Sequence, residues 1–542
     1  MEQYRWIWLI VFVVSVGWLG VEYDQYKTAQ KNGTLITNQL SSADSEASFS
    51  SVPSVNDVPV VGSEVSKPQL SNHSDSDQIL SIQTDVFDLS VSETGGVIDK
   101  VGLKQYSVSI DQPDQPTYIL NPDEFVIQTG LVSHQQAPSH KAHFHSKQKG
   151  NIELREGEDQ LSLPLYWEQD GIKVTKTFVF RRGSYVIDVI TQITNESGVN
   201  WSANAYAQLV RERPTEGSGA LYTYTGPAIY TPEDQYQKID FDDIEDSKLD
   251  IKVADSWLAM LQHYFLAAII PASKESVKLF TNNQGSKYYL GYRSNRITVA
   301  PGETIEHKDK LFVGPTKQDL LVEVHPQLDY AVDYGVFHVI AAPLFWLLKN
   351  IYEFVGNWGV AILLVTLVIK LVFFKLSEKS YRSMAKLRQL TPRIQQLKER
   401  YGDDKQALNK KMMSIYKEEK VNPLGGCLPI LIQIPVFISL YWVLIENVEM
   451  RQAPFMLWIN DLSIEDPFYV LPVLMGISMW VQQKLNPAPT DPMQAKVMQF
   501  LPLIFTALFL FFPAGLVLYW VINNILSIAQ QWLIIKRVEA EG

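Results

Sequence analysis

Cysteine and the common catalytic motifs are scarce or absent in this chain of 542 residues. Cys427 is the single cysteine, so no disulfide can form within the chain. The sequence has no GxxxxGKS/T phosphate loop, no GxSxG nucleophile elbow and no HExxH zinc motif. A net charge of −12 argues against general binding to nucleic acids. We therefore expect neither an enzyme nor a nucleic-acid-binding protein, and no cofactor.

Histidine is confined to the first 338 residues, which leaves the C-terminal part without a histidine proton relay. The segment with His140, His143 and His145, and His134 nearby, could hold a transition metal, because His143 and His145 would share one face of a strand. No carboxylate or cysteine stands at a matching spacing. We therefore interpret these histidines as exposed polar strand residues and predict no metal site.

Apolar residues make up 46% of the chain, and they are concentrated at residues 6–21 and after 336. The first run approaches the roughly 17–25 residues that span a bilayer as a helix. No small-residue cleavage site follows it, so residues 1–24 are predicted to be an uncleaved signal anchor. Arg5 precedes the run and acidic residues follow it, which predicts a cytoplasmic N-terminus.

Two segments of different character follow the anchor. Residues 25–78 are rich in serine and lack any hydrophobic period, and we expect a disordered tether there. Residues 79–330 alternate polar and apolar side chains, as in 174–180, between short turn signals. Many short strands at this spacing predict an all-β sandwich, which the direction of the anchor places outside the cytoplasm.

The C-terminal part is predicted to be a multi-pass α-helical membrane protein, with a five-helix core in addition to the N-terminal anchor. Its apolar runs at 468–481 and 497–512 have only fourteen and sixteen residues, and we interpret them as short spans that thin the bilayer. The predicted segments are an interfacial amphipathic helix at 334–355, membrane span 2 at 357–376, a cytoplasmic helical hairpin at 377–424, spans 3 to 6 at 425–537 and a short cytoplasmic tail at 538–542.

The distribution of charge predicts the orientation of these helices. Residues 375–420 contain thirteen Lys or Arg and six Asp or Glu, and their net charge of +7 is expected on the cytoplasmic side. The loop at 446–467 is acidic and is expected outside. Both termini are therefore predicted to be cytoplasmic, with residues 25–355 on the outer side of the membrane.

Two hydrophilic helices with apolar seams near heptad spacing predict the helical hairpin. The first helix, at 377–401, is expected to be broken around Pro392. Asp404 is expected to cap the second helix, at 405–419. The seam residues that define the hairpin are Met384, Leu387, Ile394, Leu408 and Met412.

Polar side chains within the apolar spans are the candidate functional residues. A lysine such as Lys370 costs about 2.5–3.5 kcal/mol to insert near the centre of a span, and Thr366 lies one turn away on the same face. Snorkelling to the membrane edge, about 9 Å away, is an alternative to a functional role for Lys370. Since no carboxylate lies within the spans, a wet cavity open to the cytoplasm is predicted to hold the charge. The other predicted cavity-lining residues are Gln433, Trp520, Asn524 and Ser527.

The chain resembles the YidC/Oxa/Alb family of membrane-protein insertases at several motifs. The segment NPLGGCLP at 422–429, followed by QIPVF at 433–437, carries this resemblance. Segments 257–265 and 313–317 are similar to the large periplasmic domain of the Gram-negative members. Other segments similar to the family's core are GDDKQ at 402–406, RQAPF at 451–455, DPMQ at 491–494 and FPAGLVLY at 512–519.

The resemblance implies an ATP-independent insertase and chaperone of the inner membrane, which acts alone or with the Sec translocon. Nascent membrane proteins and the lipid bilayer would be its partners, and residues 25–355 would be periplasmic. The resemblance also assigns groove positions to Lys370, Thr366 and Trp520. Relatives usually have arginine in place of Lys370 and often tyrosine in place of Trp520. The tail at 536–542 is short and nearly neutral, so at most weak binding to the ribosome is expected.

Two other classes of function can be weighed against the insertase. A secondary transporter of a small solute would need inverted repeats and paired ionisable residues within the membrane, and the sequence shows neither. A scaffold that only anchors the β-sandwich would leave the polar faces of the spans without a role.

Overall fold

The computed structural model describes residues 78–541 except 215–222, 272–275, 403, 420–427 and 487–491. The predicted anchor, nearly all of the tether and most of the motif at 422–429 therefore lie outside the described residues. Two compact units are present: a β unit up to Asp333, which also includes Glu446–Val448, and a helical unit of Tyr334–Ile445 and the residues from Glu449 onward.

The described part of the β unit is a sandwich of an eleven-stranded sheet and a nine-stranded sheet. Neighbouring strands are antiparallel, except that the strands Ile79–Gln83 and Asn151–Glu153 pair in parallel. In spatial order, the first sheet is β14 (Asp250–Val253), β17 (Val277–Gln284), β18 (Lys287–Arg293), β11 (Trp201–Glu212), β5 (Phe125–Val132), β3 (Ile98–Ser109), β2 (Phe87–Ser92), β1 (Ile79–Gln83) and β7 (Asn151–Glu153), with β19 (Ile297–Val299) on β11 and β4 (Gln112–Leu120) on β3. The second sheet is β13 (Gln235–Lys238), β12 (Gly226–Thr231), β15 (Trp257–Gln262), β16 (Phe265–Pro271), β20 (Thr304–Pro315), β10 (Val186–Asn195), β9 (Ile172–Arg181), β8 (Gln160–Gln169) and β6 (His145–Ser146). Two short helices, α1 (Phe241–Asp246) and α2 (Gln318–Val324), complete the unit.

The predicted β-sandwich is confirmed, and its core follows the period-two pattern of the sequence. On β9, Val174 and Phe178 are almost completely buried. On β10, Ile187 and Val189 are buried in the same alternating manner. Because successive side chains of a strand point to opposite faces, this alternation gives each strand one apolar face for the core.

The histidine-rich segment does not behave as one group. His143 and His145 are exposed, as predicted, and their rings lie 5.0 Å apart. The prediction is wrong for His140, which is buried in a turn, where its Nδ1 lies 2.6 Å from the Tyr206 hydroxyl. Across the described ranges, no group of three or more His, Cys, Asp or Glu residues could hold a metal ion.

Lys176 occupies an inward-facing position of β9 and is buried in the core of the sandwich. Its ammonium group donates hydrogen bonds to the carbonyl oxygens of Gly95 at 2.6 Å and Thr129 at 2.8 Å. Its Nζ also lies 4.9 Å from the centre of the Phe144 ring. Burial lowers the pKa of Lys176 to about 7, because the charged form has lost its hydration.

The stability of the β-sandwich is therefore expected to rise with pH above about 7. Above the lowered pKa the folded lysine is neutral while the unfolded lysine, with a pKa near 10.5, still binds a proton, so the unfolded state binds more protons. The measurement is the urea midpoint for loss of the β-sandwich in the detergent-solubilised full-length protein between pH 7 and 10. The Lys176→Met variant should lose this part of the pH dependence, and an equal slope in both proteins would contradict the assignment.

The helical unit contains eight described helices. They are α3 (His338–Val355), α4 (Trp358–Val372), α5 (Phe374–Tyr401), α6 (Lys405–Glu418), α7 (Leu428–Glu446), α8 (Val470–Leu485), α9 (Pro492–Phe509) and α10 (Ala514–Glu541). Among the described residues, the helical segments Gly335–Val355 and Ala514–Ala540 are long and apolar enough to cross a membrane by themselves. The bent pair α4–α5 meets the same criteria when its two helices are counted together, and shorter apolar helices cover Gln433–Glu446 and Ala495–Phe509.

A sharp bend separates the apolar helix α4 from the hydrophilic helix α5. Asn357 begins α4, since its side-chain oxygen accepts a hydrogen bond from the Val360 amide at 3.0 Å. The helix ends at Val372, and beyond Phe373 the chain turns by 68° into α5. The bend comes four residues before the end of the predicted span at residue 376.

Helices α5 and α6 form the antiparallel hairpin, since Arg393 near the middle of α5 pairs at 3.0 Å with Glu419 just after α6. As predicted, Asp404 caps α6, because its side-chain oxygen accepts hydrogen bonds from the backbone amides of Gln406 and Ala407. The predicted break around Pro392 is wrong, because α5 is continuous from Phe374 to Tyr401. A proline removes one intrahelical donor, and at an exposed site water can bond to the carbonyl that it frees.

Candidate functional site

Lys370 lies in the last turn of α4, two residues before the helix ends at Val372. The backbone carbonyls at this end of a helix carry a partial negative charge, which favours a cation by about 0.3–1 kcal/mol in exposed positions. The bend at Phe373 therefore places the lysine at a helix C-terminus instead of in the middle of a continuous span.

The ammonium group of Lys370 contacts side chains from two other helices. It donates a hydrogen bond of 2.7 Å to the Ser527 hydroxyl on α10 and a long one of 3.5 Å to Gln433 Oε1 on α7. Gln433 also donates to the Asn523 side-chain oxygen, and the Tyr381 side chain on α5 lies close to Ser527. We refer to Lys370, Tyr381, Gln433, Asn523 and Ser527 as the lysine cluster.

The lysine cluster carries a single formal charge. Its other four members are neutral hydroxyl or amide side chains, and within the described ranges no carboxylate forms an ion pair with Lys370. Lys370 is half-buried. A partly buried ammonium group without a fixed carboxylate keeps its attraction for an anion that enters the cluster, because an internal ion pair would already have neutralised it.

The other predicted groove residues lie outside the lysine cluster. Thr366 is buried, and its hydroxyl donates to the Ile362 carbonyl oxygen of its own helix at 2.7 Å. Asn524 is also buried, and it donates to the Ser478 hydroxyl on α8 at 2.9 Å. Trp520 packs edge-on against Phe437, with 4.4 Å between the ring centres. Of the six predicted residues, the structure thus brings together Lys370, Gln433 and Ser527.

The five predicted seam residues of the hairpin differ in how deeply they are buried. Ile394 and Leu408 are buried between α5 and α6, as a facing seam requires. Met384, Leu387 and Met412 are only half-buried. They leave partly exposed apolar side chains on a strongly basic hairpin.

Two members of the lysine cluster, Asn523 and Tyr381, are not among the six predicted groove residues. Asn523 stands one turn before Ser527, whose hydroxyl donates to the Asn523 carbonyl oxygen at 2.7 Å, so helical spacing could have suggested it. Tyr381 had no such signal. It reaches Ser527 only because the chain bends after α4 and packs α5 against α10, where Ala385, Ile534 and Val538 form a buried apolar cluster.

The fold and the cluster together define a class of protein: a helical membrane protein with a cationic polar cluster among its apolar helices, joined to a β-sandwich. Models of known protein families match both the helical part and the β-sandwich. The model of the 60Kd inner membrane protein family matches residues 350–541, and that of the YidC periplasmic domain matches residues 79–347.

Curated relatives match most of the chain. A protein of Alkalilimnicola ehrlichii named membrane protein insertase YidC is 52% identical over 468 residues, which cover 85% of this chain and 83% of the relative. A protein of the same name from Marinobacter nauticus is 43% identical over 555 residues, covering 98% and 97%. A solved structure of a YidC insertase with its first transmembrane domain resolved aligns over 84% of this chain and 94% of that chain, with 17% identity and a TM-score of 0.39.

This chain belongs to the YidC family of membrane protein insertases. The family consists of inner-membrane proteins and is one of insertases, not of enzymes. The resemblance found in the sequence is confirmed.

Proposed function

We propose that this protein inserts nascent membrane proteins into the inner membrane through a hydrophilic groove centred on the lysine cluster, and assists their folding. The observation that carries the proposal is the position of Lys370, half-buried among neutral polar side chains and hydrogen-bonded to Ser527. Family membership supports the activity, and the contacts of Lys370 support the place at which it occurs.

An acidic side chain of a client would be attracted to Lys370 as it enters from the cytoplasm. Its carboxylate would replace the Ser527 hydroxyl as the acceptor, because a charged acceptor forms a shorter and stronger hydrogen bond than a neutral one. Gln433 and Tyr381 would then supply further neutral polar partners. The client could leave again, since the neutral acceptors are restored on its departure.

Short membrane helices would lower the barrier to moving the client's hydrophilic segment across the bilayer. The fifteen residues of α4 span about 22 Å, less than the roughly 30 Å of a typical hydrocarbon core. Helix α8, with sixteen residues, is similarly short. A bilayer that thins around these helices leaves a shorter apolar distance for the client's hydrophilic segment to cross.

The energy for insertion would come from the client itself. Its apolar segment leaves the groove sideways and enters lipid, and burial of apolar surface is worth about 25 cal/mol per Å². Nucleotide hydrolysis is not needed for this step, in keeping with the absence of a phosphate-binding loop from the sequence.

The proposed topology has both termini in the cytoplasm and residues 25–355 in the periplasm. The charge of +7 on residues 375–420 supports a cytoplasmic hairpin. The hairpin would meet the nascent chain first, through the half-buried methionines at 384 and 412. Cooperation with the Sec translocon and at most weak contact with the ribosome are part of the proposal; residues 536–541 carry two basic and two acidic side chains and so offer no net positive charge to a polyanion.

Reconstitution tests this function directly. The purified protein in liposomes, without nucleotide, is expected to insert a short single-span precursor, measured as a protease-protected fragment. A secondary transporter would instead move a small solute with no protected fragment, and a scaffold would do neither. Empty liposomes and liposomes with the Lys370→Glu variant are the controls, and equal protection in all three would contradict the proposal.

A further inference from the structure

In the loop between α7 and α8, residues 451–469, two acidic side chains are buried. Asp466 is 1% exposed and accepts hydrogen bonds from the Trp458 indole at 2.9 Å and the Leu471 amide at 2.7 Å. Asp461 is 8% exposed and accepts from the amide and the hydroxyl of Ser463. Two of the charges that make this loop acidic in the sequence therefore hold its backbone and do not face its surroundings.

The exposed side chains of the same loop are largely apolar. Leu457 is 81% exposed and Phe468 67%, and Met456 and Tyr469 are about half exposed. Leu457 and Tyr469 have φ of +55° and +56°, a left-handed conformation that is uncommon for bulky residues. The loop thus holds large apolar residues outward in a strained backbone, and such strain is typical of functional surfaces.

Hydrogen bonds attach this loop to the ends of membrane helices. The Asn357 side chain, at the start of α4, donates to the Phe455 carbonyl oxygen at 2.9 Å. The Ala514 amide, at the start of α10, donates to the Ile464 carbonyl oxygen at 2.6 Å. Tyr469 directly precedes α8. The loop therefore covers the N-terminal ends of three helices, which is the depth of a membrane–water boundary.

The apolar surface of the loop also continues onto a helix. Val473, Leu474 and Ile477 of α8 are about half exposed and follow Phe468 and Tyr469 along the chain. An apolar surface shared by a loop and the exposed side of a short membrane helix fits lipid, because acyl chains and headgroups meet at this depth.

We infer that the α7–α8 loop is a lipid anchor, with Met456, Leu457 and Phe468 immersed at the boundary between headgroups and acyl chains. The anchor fixes the depth of the short helix α8 in the bilayer. The inference rests on the helical unit lying in a membrane and not on which side the loop faces, and it does not depend on the lysine cluster.

Depth-dependent fluorescence quenching tests the anchor in the full-length protein. In a Cys427→Ser background, Leu457→Cys and Phe468→Cys carry an environment-sensitive label, and the protein is reconstituted in phospholipid vesicles without client or partner. Asn460→Cys, at an exposed polar position of the same loop, is the matched control. At positions 457 and 468 we expect the ratio of quenching by brominated lipid to quenching by aqueous iodide to be severalfold higher than at 460.

Three results are distinguishable. Strong quenching by lipids at 457 and 468 supports the anchor. Strong quenching by iodide at both positions overturns it, because it shows that this surface is exposed to water and not immersed in lipid. Protection from both quenchers also overturns it, and shows that another part of this chain covers the loop. The insertion assay on the same vesicles reports on the proposed function separately, so the failure of one is not mistaken for the failure of the other.

Discussion

Replacing Lys370 with glutamate is expected to abolish insertion of a client whose translocated segment carries three acidic residues. At about 6 Å and an effective dielectric constant of about 20, one pair of unit charges is worth about 3 kcal/mol. Lys370→Ala loses this attraction, and Lys370→Glu replaces it with a repulsion of similar size. The defect should therefore increase from arginine, which is tolerated, through alanine to glutamate, and should grow with the number of acidic residues in the client.

The Ser527→Ala variant is the matched control for this series. It removes the 2.7 Å acceptor of the Lys370 ammonium group and leaves the charge in place, so we expect a much smaller defect. The measurement is insertion of one short client with zero to three acidic residues across all variants, after confirming equal amounts of protein in the membrane. If the alanine and glutamate variants insert the most acidic client equally well, the lysine acts only by snorkelling and the electrostatic role is wrong.

Removing the helical hairpin of α5 and α6 is expected to cause a second large loss of insertion. Arg393 and Glu419 form an ion pair of 3.0 Å, so residues 394–418 can be deleted and the two positions joined by a short glycine-serine linker. The deletion removes the buried seam of Ile394 and Leu408, and retains Tyr381 and the packing of Ala385 against α10. Insertion should fall strongly while the protein stays in the membrane.

A deletion in the other extramembrane part is the counterpart of this experiment. Removing residues 79–320 takes away every described strand of the β-sandwich, for which no part in the lysine cluster is proposed, and should leave insertion largely intact. The helix α3 must be kept, because its Tyr352 ring stacks on Trp358 at the start of α4 with 3.9 Å between ring centres. Normal insertion by the 394–418 deletion would contradict the proposed role of the hairpin residues that it removes, which include Met412.

Much of the architecture follows from patterns that act over a few residues. Alternating side chains such as Val174 and Phe178 could be assigned to a sandwich, because strand periodicity is a local property. The cap at Asp404 was also predictable, because an aspartate before a helix bonds to the next few amides. Pro392 shows the limit of such rules, since a proline weakens or kinks a helix without always ending it, and α5 continues through this position.

Buried polar groups were the least predictable features. A lysine in a strand is usually expected at the surface, but Lys176 occupies an inward-facing position of β9. The Gly95 and Thr129 carbonyls that accept its hydrogen bonds come from the side of the opposing sheet. From the sequence, Asp461 and Asp466 would be expected to make the loop acidic and exposed to water. In the structure both side chains are buried and accept hydrogen bonds from nearby residues. Only for Lys176 do the partners come from distant chain segments that meet in the tertiary structure; Asp461 bonds to Ser463 and Asp466 to Leu471, close by in the sequence.

The sequence by itself determined the family, the sandwich and the apolar helices, and it identified Lys370 as a candidate site residue, because motifs, periodicity and the cost of a charge in a span are all local in sequence. Only the tertiary structure decided what surrounds that lysine. The bend at Phe373 ends α4 beside Lys370 and packs α5 against α10, which brings Tyr381 and Ser527 to the same place. Thr366, one turn away on the same helix, is buried instead, because helix packing and not helical spacing selects which polar side chains meet.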